Sequence, residues 1–352
     1  MEGSFVGITL FAIAGLFSAS FYSPLKFVKS WSWEVMWIFY AVMACLVAPI
    51  LIATITIPSC WSAIGQTEFH TLAWTFVYGA MWGVGGLTFG LSMRYLGIGL
   101  GTAVALGFCS LVGALWDPVK NGTLLEIAST KSGMLVLVGI FICALGIAIN
   151  GVAGILKEND SVSANAEGGS SNSDFSLVKG FAVAIFAGFM SACMNVSLIE
   201  GAPIAEAAKN LAIEGGADPK FADLFQNNAT LVVTLMGGFL TNVLWCLYLS
   251  LKTGTIKDLK TAGAFKGIVY LILCTLGGFL WFGQFFFFGM GKTKIAPDYA
   301  FASWPILMAF IIIFAGIIGL FLGEWKGSKP VTKAVLWLGI LVLASSTFVM
   351  AG

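Results

Sequence analysis

The sequence predicts an all-α integral membrane protein with ten transmembrane helices, arranged as two inverted five-helix repeats. Composition is the first of three observations behind this prediction. Of 352 residues, 59% are hydrophobic and only 10% are charged, against roughly 25% charged residues in soluble domains. A soluble core of this length could not hide so much apolar surface, so lipid must be the solvent for most of the chain. The other two observations are a series of apolar stretches and a pair of matching strings.

Ten stretches of the chain reach the ~20 apolar residues that a transmembrane helix needs. The first of them lacks the basic region that precedes the apolar core of a secretory signal, so it is interpreted as the first span. The ten predicted spans run near residues 5–25, 34–57, 71–93, 97–117, 133–155, 177–198, 228–251, 266–290, 298–322 and 332–350.

Two similar strings inside long apolar runs indicate a duplication. Residues 14–20 read A-G-L-F-S-A-S, and residues 187–193, which begin 173 positions later, read A-G-F-M-S-A-C. Trp82, with a glycine eight residues after it, recurs as Trp281, shifted by 199 positions. Repeats that hold an odd number of helices insert into the membrane in opposite directions, and this architecture is typical of secondary transporters.

Two long connectors give the predicted boundaries. Residues 157–175 are rich in Ser, Asn and Gly, which is typical of a flexible linker. They divide the spans five and five, into a first repeat at 1–156 and a second at 176–352. The other connector, 199–227, accounts for the 26-residue difference between the two offsets. It includes a short amphipathic helix near 203–213, which we expect at the membrane interface.

Several classes of function lack their sequence signatures. The formal net charge of +1 gives no sign of a nucleic-acid partner. The seven cysteines form no C-x-x-C pair, and the only histidine, His70, has no metal ligand near it in the sequence, so we expect no metal site and no cofactor. No His–Cys arrangement and no paired carboxylates point to a catalytic site, so the chain is not predicted to be an enzyme.

Ionisable side chains at membrane depth are costly, so each of them needs a reason. Glu34 opens the second span within the string W-S-W-E-V-M-W. A carboxyl group among aromatic rings loses water and can exchange protons near neutral pH. Asp298 opens the ninth span, in A-P-D-Y. We predict both carboxylates as proton-coupling groups, although both positions also fit simple helix capping.

Four polar side chains inside spans are candidates for a binding site: Tyr22, Asn195, Asn242 and Gln284. Tyr22 and Asn195 both lie eight residues past the start of the matched strings, so the duplication relates them. Such positions lie near the axis where transporters of inverted repeats bind substrates. Gln284 follows Trp281 by one turn on the same helix face. An amide inside a span can equally hold two helices together, and both interpretations stay open.

Four strings recur in the order and spacing of a known family. They are F-Y-S-P-L-K-F-V-K-S-W-S-W-E-V-M-W at 21–37, Y-G-A-M-W-G at 78–83, G-L-S-M-R-Y-L-G at 90–97 and L-G-G-F-L-W-F-G-Q-F-F-F at 276–287. Over nearly the whole chain the sequence resembles the L-rhamnose–proton symporter family of the drug/metabolite transporter superfamily. The resemblance implies uptake of L-rhamnose, or a closely related sugar, driven by the inward proton gradient. It also implies a multi-pass protein of the bacterial cytoplasmic membrane, with sugar, protons and the bilayer as partners.

The matched strings carry over nine family positions: Tyr22, Lys26, Trp33, Glu34, Trp37, Trp82, Arg94, Trp281 and Gln284. An aromatic ring can stack on the apolar face of a sugar, while amide and hydroxyl groups bind the sugar hydroxyls. The predicted substrate-binding residues are therefore Tyr22, Trp33, Trp37, Trp82, Asn195, Trp281 and Gln284.

The chain departs from the family pattern in three ways. Its linker is longer and more polar, Asp117 and Asp298 stand where uncharged residues are expected, and Ala300 stands where an aspartate is expected. These departures leave open a different coupling carboxylate and a different sugar. They also leave open the alternative function, an exporter or antiporter of a small polar metabolite. A carrier of nucleotide sugars or phosphates should show several Lys or Arg within spans, and none lies well inside one.

Overall fold

The computed structural model describes residues 2–164, 176–261 and 263–351. Every regular element within these ranges is a helix, as the apolar composition predicts. The first part of the predicted linker, residues 157–164, is helical instead and forms the last two turns of a long helix. The rest of the predicted linker, 165–175, lies outside the described residues.

Seventeen α-helices follow one another along the described chain. The first nine are α1 (Glu2–Ser20), α2 (Tyr22–Leu25), α3 (Trp33–Val42), α4 (Ala48–Thr56), α5 (Cys60–Gln66), α6 (Phe69–Leu96), α7 (Ile98–Lys120), α8 (Leu124–Ser129) and α9 (Lys131–Ala164). The others are α10 (Leu177–Glu200), α11 (Ala202–Glu214), α12 (Pro219–Phe225), α13 (Asn227–Thr253), α14 (Asp258–Thr261), α15 (Gly263–Lys292), α16 (Ser303–Phe321) and α17 (Pro330–Ala351). A π-helical segment (Met43–Val47) joins α3 to α4, and 3₁₀ helices span Thr255–Lys257 and Pro297–Ala302.

Nine stretches of the described chain are long and apolar enough to cross a membrane. They correspond to nine of the ten predicted spans. The remaining predicted span, 71–93, lies in α6, which is long enough at 28 residues but contains many Gly, Thr, Tyr and Trp residues. These residues lower the hydropathy of α6. The structure therefore supports a multi-pass membrane protein, whereas the tenth span and the inverted repeat stay predictions.

The contacts between residues divide the chain into two compact units. Unit 1 is formed by residues 1–16, 85–195 and 294–352, and unit 2 by residues 17–84 and 196–293. Each unit combines segments from both halves of the sequence. The predicted repeats are stretches of sequence, whereas these units are defined by packing, so the division does not test the duplication.

In unit 1, α9 packs along α17 and α7. Glycines make these contacts close: a Cβ on Gly154 would lie 2.7 Å from the Cα of Gly99, and a Cβ on Gly146 would lie 2.8 Å from the Cγ of Leu343. In lipid the hydrophobic effect supplies little force between helices, so close backbone approach and van der Waals contact hold them together.

In unit 2, α13 packs against α3 and α4, while α15 packs against α3 and the π-helical segment. The predicted amphipathic helix near 203–213 is present as α11, and its apolar face is buried. Ile204 and Ala208 of α11 join a core cluster with Ala53 of α4 and Ala229 of α13. The apolar face of α11 is therefore covered by protein, and the position of the helix at a membrane interface stays a prediction.

The π-helical segment has a local cause in the sequence. The N–H of Ala48 bonds to the carbonyl oxygen of Met43, five residues earlier. Pro49 follows directly, in the first turn of α4. A proline ring clashes with the carbonyl four residues before it and provides no N–H. The wider turn removes both difficulties, and such segments are frequent at functional sites.

Candidate functional site

Three aromatic side chains share one face of α3. Trp33, Trp37 and Tyr40 lie at positions i, i+4 and i+7, which a helix places one above the other. The rings of Trp33 and Trp37 are stacked with centroids 5.1 Å apart, and the centroids of Trp37 and Tyr40 are 4.6 Å apart. Trp33 is 42% exposed at the start of the helix, whereas Tyr40 is only 3% exposed. The row of rings therefore leads from the surface of unit 2 into its interior.

Rings from α6 and α15 continue this row. The Trp281 ring meets Tyr40 edge-on, with centroids 6.1 Å apart, and stacks on Trp82 at 5.3 Å. Phe285 packs edge-on against both indoles, at 4.8 Å from Trp281 and 6.0 Å from Trp82. The six rings, called the aromatic cluster below, are Trp33, Trp37, Tyr40, Trp82, Trp281 and Phe285.

Tyr22 reaches the aromatic cluster through one intervening ring. Its centroid lies 5.9 Å from that of Phe21, and Phe21 lies 5.7 Å from Tyr40. Tyr22 itself is 41% exposed on the short helix α2. Unit 2 thus brings together five of the seven predicted substrate-binding residues: Tyr22, Trp33, Trp37, Trp82 and Trp281.

Helix α13 holds two of the tryptophans in place. The Nε1–H of Trp37 donates to Oδ1 of Asn242 at 2.9 Å, and the Nδ2–H of Asn242 donates to the carbonyl oxygen of Gly238 at 2.8 Å. Gly238 also leaves room for Trp82, because a Cβ there would overlap the edge of the indole ring. The polar residue Asn242 therefore orients Trp37 while leaving the faces of its ring uncovered by this bond.

Tyr40 is a member of the cluster that sequence analysis missed. Its side chain is buried, and its hydroxyl group has no hydrogen-bond partner among the described residues. The spacing in W-E-V-M-W-I-F-Y holds a signal that could have found it, because Trp33, Trp37 and Tyr40 repeat at helical intervals.

The carboxylate of Glu34 lies at the start of α3, beside the first rings of the cluster. Its Oε1 accepts hydrogen bonds from the hydroxyl groups of Thr255, at 2.6 Å, and Thr253, at 3.1 Å. A second carboxylate is close by: Oδ2 of Asp258 accepts from the backbone N–H of Ser32 at 3.0 Å. Glu34 thus lies next to Trp33 along the chain, and hydroxyl groups from the end of α13 and from the 3₁₀ helix after it hold the carboxylate.

Two predicted amides have different surroundings. Gln284 is buried on α15, within one turn of Trp281. Asn195 belongs to unit 1, where its Nδ2–H donates to the carbonyl oxygen of Gly113 at 2.8 Å. Asn195 is therefore not part of the group of residues that unit 2 brings together.

The second predicted proton-coupling carboxylate, Asp298, belongs to unit 1, together with Asp117 and Asp160. Asp298 lies in the 3₁₀ helix Pro297–Ala302, and its side chain is outside the described part of the structure. Asp117 accepts a hydrogen bond from Nδ2 of Asn121 at 2.9 Å and lines a cavity of about 490 Å³ with Glu126 and Tyr299. Asp160, at the end of α9, is a further carboxylate in this unit, and it accepts from the backbone N–H of Lys329 at 2.9 Å.

The chemistry of the aromatic cluster is that of non-covalent binding. It offers ring faces, one unpartnered hydroxyl group and a nearby carboxylate. Within residues 2–164, 176–261 and 263–351, no group of three or more His, Cys, Asp or Glu side chains is placed to hold a metal ion. Aromatic faces with a few polar groups bind a small molecule that has one apolar face and several hydroxyl groups.

The comparison with known proteins covers almost the whole chain. Residues 2–351 match the family described as "L-rhamnose-proton symport protein (RhaT)". The chain is 33% identical over 343 residues to the L-rhamnose-proton symporter of Yersinia pestis (strain Pestoides F), which covers 96% of this chain and 94% of the relative. It is 34% identical over 348 residues to the L-rhamnose-proton symporter of Citrobacter koseri, which covers 97% of this chain and 96% of the relative. The similarity includes every segment that builds the aromatic cluster.

Proposed function

Because the chain belongs to the L-rhamnose-proton symport protein (RhaT) family, we propose that it imports L-rhamnose together with protons. The aromatic cluster of unit 2 is the observation that carries this proposal. L-rhamnose is a 6-deoxyhexose, with a methyl group and an apolar C–H face in addition to its hydroxyl groups. Indole faces of Trp37 and Trp281 match the apolar side of this sugar, and the substrate-binding set comprises Tyr22, Trp33, Trp37, Trp82, Trp281 and Gln284.

The proposed transport cycle is alternating access between two inverted five-helix repeats. The matched strings near residues 14 and 187 support the duplication, and α6 supplies the tenth span with its 28 residues. In this cycle the repeats rock about the bound sugar and expose it to one side of the membrane at a time. The proposed location is the bacterial cytoplasmic membrane, and the wider assignment is to the drug/metabolite transporter superfamily.

Glu34 is the proposed proton-coupling group. Its carboxylate is hydrogen-bonded to two hydroxyl groups, and the Asp258 carboxylate acts on it electrostatically. Protonation removes a negative charge beside another carboxylate, which favours movement of this end of α3 into a less polar setting. The membrane potential contributes ~2.3 kcal/mol per charge per 100 mV to uptake. Asp298 is the second candidate for this role.

For Asn195 the contact in unit 1 favours helix packing over substrate binding. Its amide donates to a backbone carbonyl of α7, and interhelical bonds of this kind stabilise membrane bundles. We therefore keep Asn195 apart from the proposed sugar site of unit 2.

Transport into proteoliposomes tests the proposal. With an inward proton gradient, wild-type protein should accumulate L-rhamnose, and adding the sugar without a gradient should raise the external pH. The Glu34→Gln variant should still exchange labelled for unlabelled L-rhamnose, but it should neither accumulate sugar nor move protons. Asp258→Asn is the matched control, and we expect it to keep both activities.

Four outcomes would contradict these assignments. Full accumulation by Glu34→Gln would remove Glu34 from proton coupling. Loss of coupling in Asp258→Asn alone would transfer that role to Asp258. Absence of L-rhamnose uptake by the wild-type protein would refute the proposed function, and sugar efflux against its gradient would favour the exporter alternative.

A further inference from the structure

The hydroxyl group of Tyr40 is an unusual feature of unit 2. The side chain is only 3% exposed, and its oxygen finds no hydrogen-bond partner among the described residues. Buried hydroxyl groups in native proteins are nearly always paired, because an unpaired one keeps the full cost of leaving water. A buried polar group without a partner therefore needs an explanation, such as a ligand that supplies the missing bond.

Tyr40 lies farther along its span than Trp33 does. The span that contains both runs from Trp33 to Thr56, and Tyr40 is seven residues, or about 10 Å, from its start at ~1.5 Å per residue. Substrates of secondary transporters bind near the middle of the membrane. Tyr40 is therefore nearer to that depth than Trp33, which lies at the mouth of the same row of rings.

The neighbours of Tyr40 provide ring faces. Its ring centroid lies 4.6 Å from Trp37 and 6.1 Å from Trp281. The indole N–H of Trp37 is already engaged by Asn242, so that group does not serve the phenol oxygen. Tyr40 thus contributes one hydroxyl group, able both to donate and to accept, on a ring that contacts two indole rings.

We propose that the Tyr40 hydroxyl group forms a hydrogen bond with one ring hydroxyl of bound L-rhamnose and thereby selects the sugar. This inference rests on the proposed function and deepens it. A pyranose that stacks its apolar face on an indole carries its hydroxyl groups around the rim of the ring, where the phenol oxygen can meet one of them. A site whose buried polar group needs a substrate hydroxyl rejects analogues that lack this hydroxyl.

The Tyr40→Phe variant tests this inference with little risk to folding. The substitution removes only an oxygen that has no partner, so the ring keeps its contacts and the melting temperature should not fall. We expect the affinity for L-rhamnose, measured by calorimetry on purified protein, to fall about tenfold, which is ~1.4 kcal/mol. Tyr270→Phe is the matched control, since the Tyr270 hydroxyl pairs with Ser30 at 3.1 Å outside the cluster, and its affinity should stay unchanged.

Three sugar analogues, the 2-deoxy, 3-deoxy and 4-deoxy derivatives of L-rhamnose, identify the contact. Wild-type protein should bind all three less tightly than L-rhamnose. For one of them, Tyr40→Phe should cause no further loss, because the analogue already lacks the hydroxyl that meets Tyr40. Such coupling with one analogue would support a direct contact rather than an indirect change in the cluster.

Two results would overturn the inference while leaving the proposed function intact. One is a Tyr40→Phe protein that binds L-rhamnose and all three analogues as the wild type does. The other is a clear drop in its melting temperature, which would mean that the hydroxyl group is paired within the protein. If the wild-type protein itself binds no L-rhamnose, the proposed function fails, and this inference fails with it.

Discussion

Tyr22 and Asn195 occupy equivalent places after the two matched strings, yet they lie in different surroundings. Tyr22, in unit 2, is largely exposed and reaches the aromatic cluster through Phe21. Asn195, in unit 1, is 4% exposed, and its amide is bonded to the backbone of α7. The two positions therefore match in sequence but differ in their contacts. The Tyr22 ring packs next to the aromatic cluster, whereas the Asn195 amide joins two helices.

One tryptophan from each unit shows the same kind of difference. Trp304 of unit 1 is buried, its indole N–H donates to the carbonyl oxygen of Cys109 at 3.2 Å, and its ring fills the space over Gly113. Trp37 of unit 2 is half-buried and donates to a side-chain amide. The buried indole of Trp304 is bonded to the backbone and fills space between helices, whereas the half-buried indole of Trp37 is held by a side chain and packs against the rings of Trp33 and Tyr40. We infer that sugar binding belongs to unit 2.

Removal of Trp281 should have the largest effect. Trp281→Ala takes away the ring that contacts Tyr40, Trp82 and Phe285. Bound L-rhamnose loses its proposed stacking contact with this ring and the apolar area buried there, and an aromatic contact contributes ~0.5–1.5 kcal/mol beyond its buried area, so the affinity for L-rhamnose should fall by about 10-fold or more. Calorimetry on purified protein measures this loss. Trp337→Ala is the control, because Trp337 lies in unit 1 and is 48% exposed. An equal loss of affinity in this variant would contradict the assignment of sugar binding to unit 2.

Asp160 tests whether a carboxylate of unit 1 serves structure alone. Its Oδ2 accepts from the backbone N–H of Lys329 and from the hydroxyl group of Thr332, at 2.9 and 2.6 Å. These bonds fasten the start of α17, so Asp160→Ala, which removes the accepting oxygen, should lower the free energy of unfolding by about 1–2 kcal/mol, as loss of a helix cap does. Thermal unfolding of the purified variant measures the change. Proton-coupled uptake per folded molecule should stay normal in this variant, whereas Glu34→Gln should lose it. Uptake without proton coupling in the Asp160 variant would contradict a purely structural role for Asp160.

The smallest effect is expected at Asn195. Asn195→Ala removes one hydrogen bond to α7, and such bonds in membrane bundles contribute ~0.6 kcal/mol on average. The melting temperature should therefore fall slightly, with the affinity for L-rhamnose unchanged. A loss of affinity at an unchanged melting temperature would instead indicate that Asn195 binds the sugar. Both positions related by the proposed duplication, Tyr22 and Asn195, would then belong to the site.

The sequence predicts the helical class and nine stretches that are long and apolar enough to cross a membrane, because both depend on local composition. The tryptophans that short strings single out stay proposed binding residues. The span 71–93 is the weakest of the ten, since α6 combines tryptophan and tyrosine with glycines. Two of these, Gly79 and Gly83, adjoin α13 so closely that a Cβ on either would overlap it. The same residues that lower hydropathy therefore serve close helix packing.

Contacts between distant parts of the chain could not be predicted. Thr253 and Thr255 reach Glu34 from more than 200 residues away, and no local pattern marks these threonines as its partners. The pairing of Trp82 with Trp281 was visible only as a sequence offset, whereas their stacking depends on how α6, α13 and α15 pack. The helical spacing of Trp33, Trp37 and Tyr40 could have predicted that Tyr40 joins the cluster. Its unpartnered oxygen, however, is visible only in the folded unit.

The π-helical segment Met43–Val47 sets the register of α3. Its wide turn takes up a residue that an α-helix would not accommodate. Deleting one residue from the segment would let α3 continue into α4 as regular α-helix, and each residue of an α-helix turns the chain by about 100°. The face that carries Trp33, Trp37 and Tyr40 would then rotate away from Trp281. A single additional residue, in the turn that follows Tyr40, thus aligns two halves of one aromatic surface.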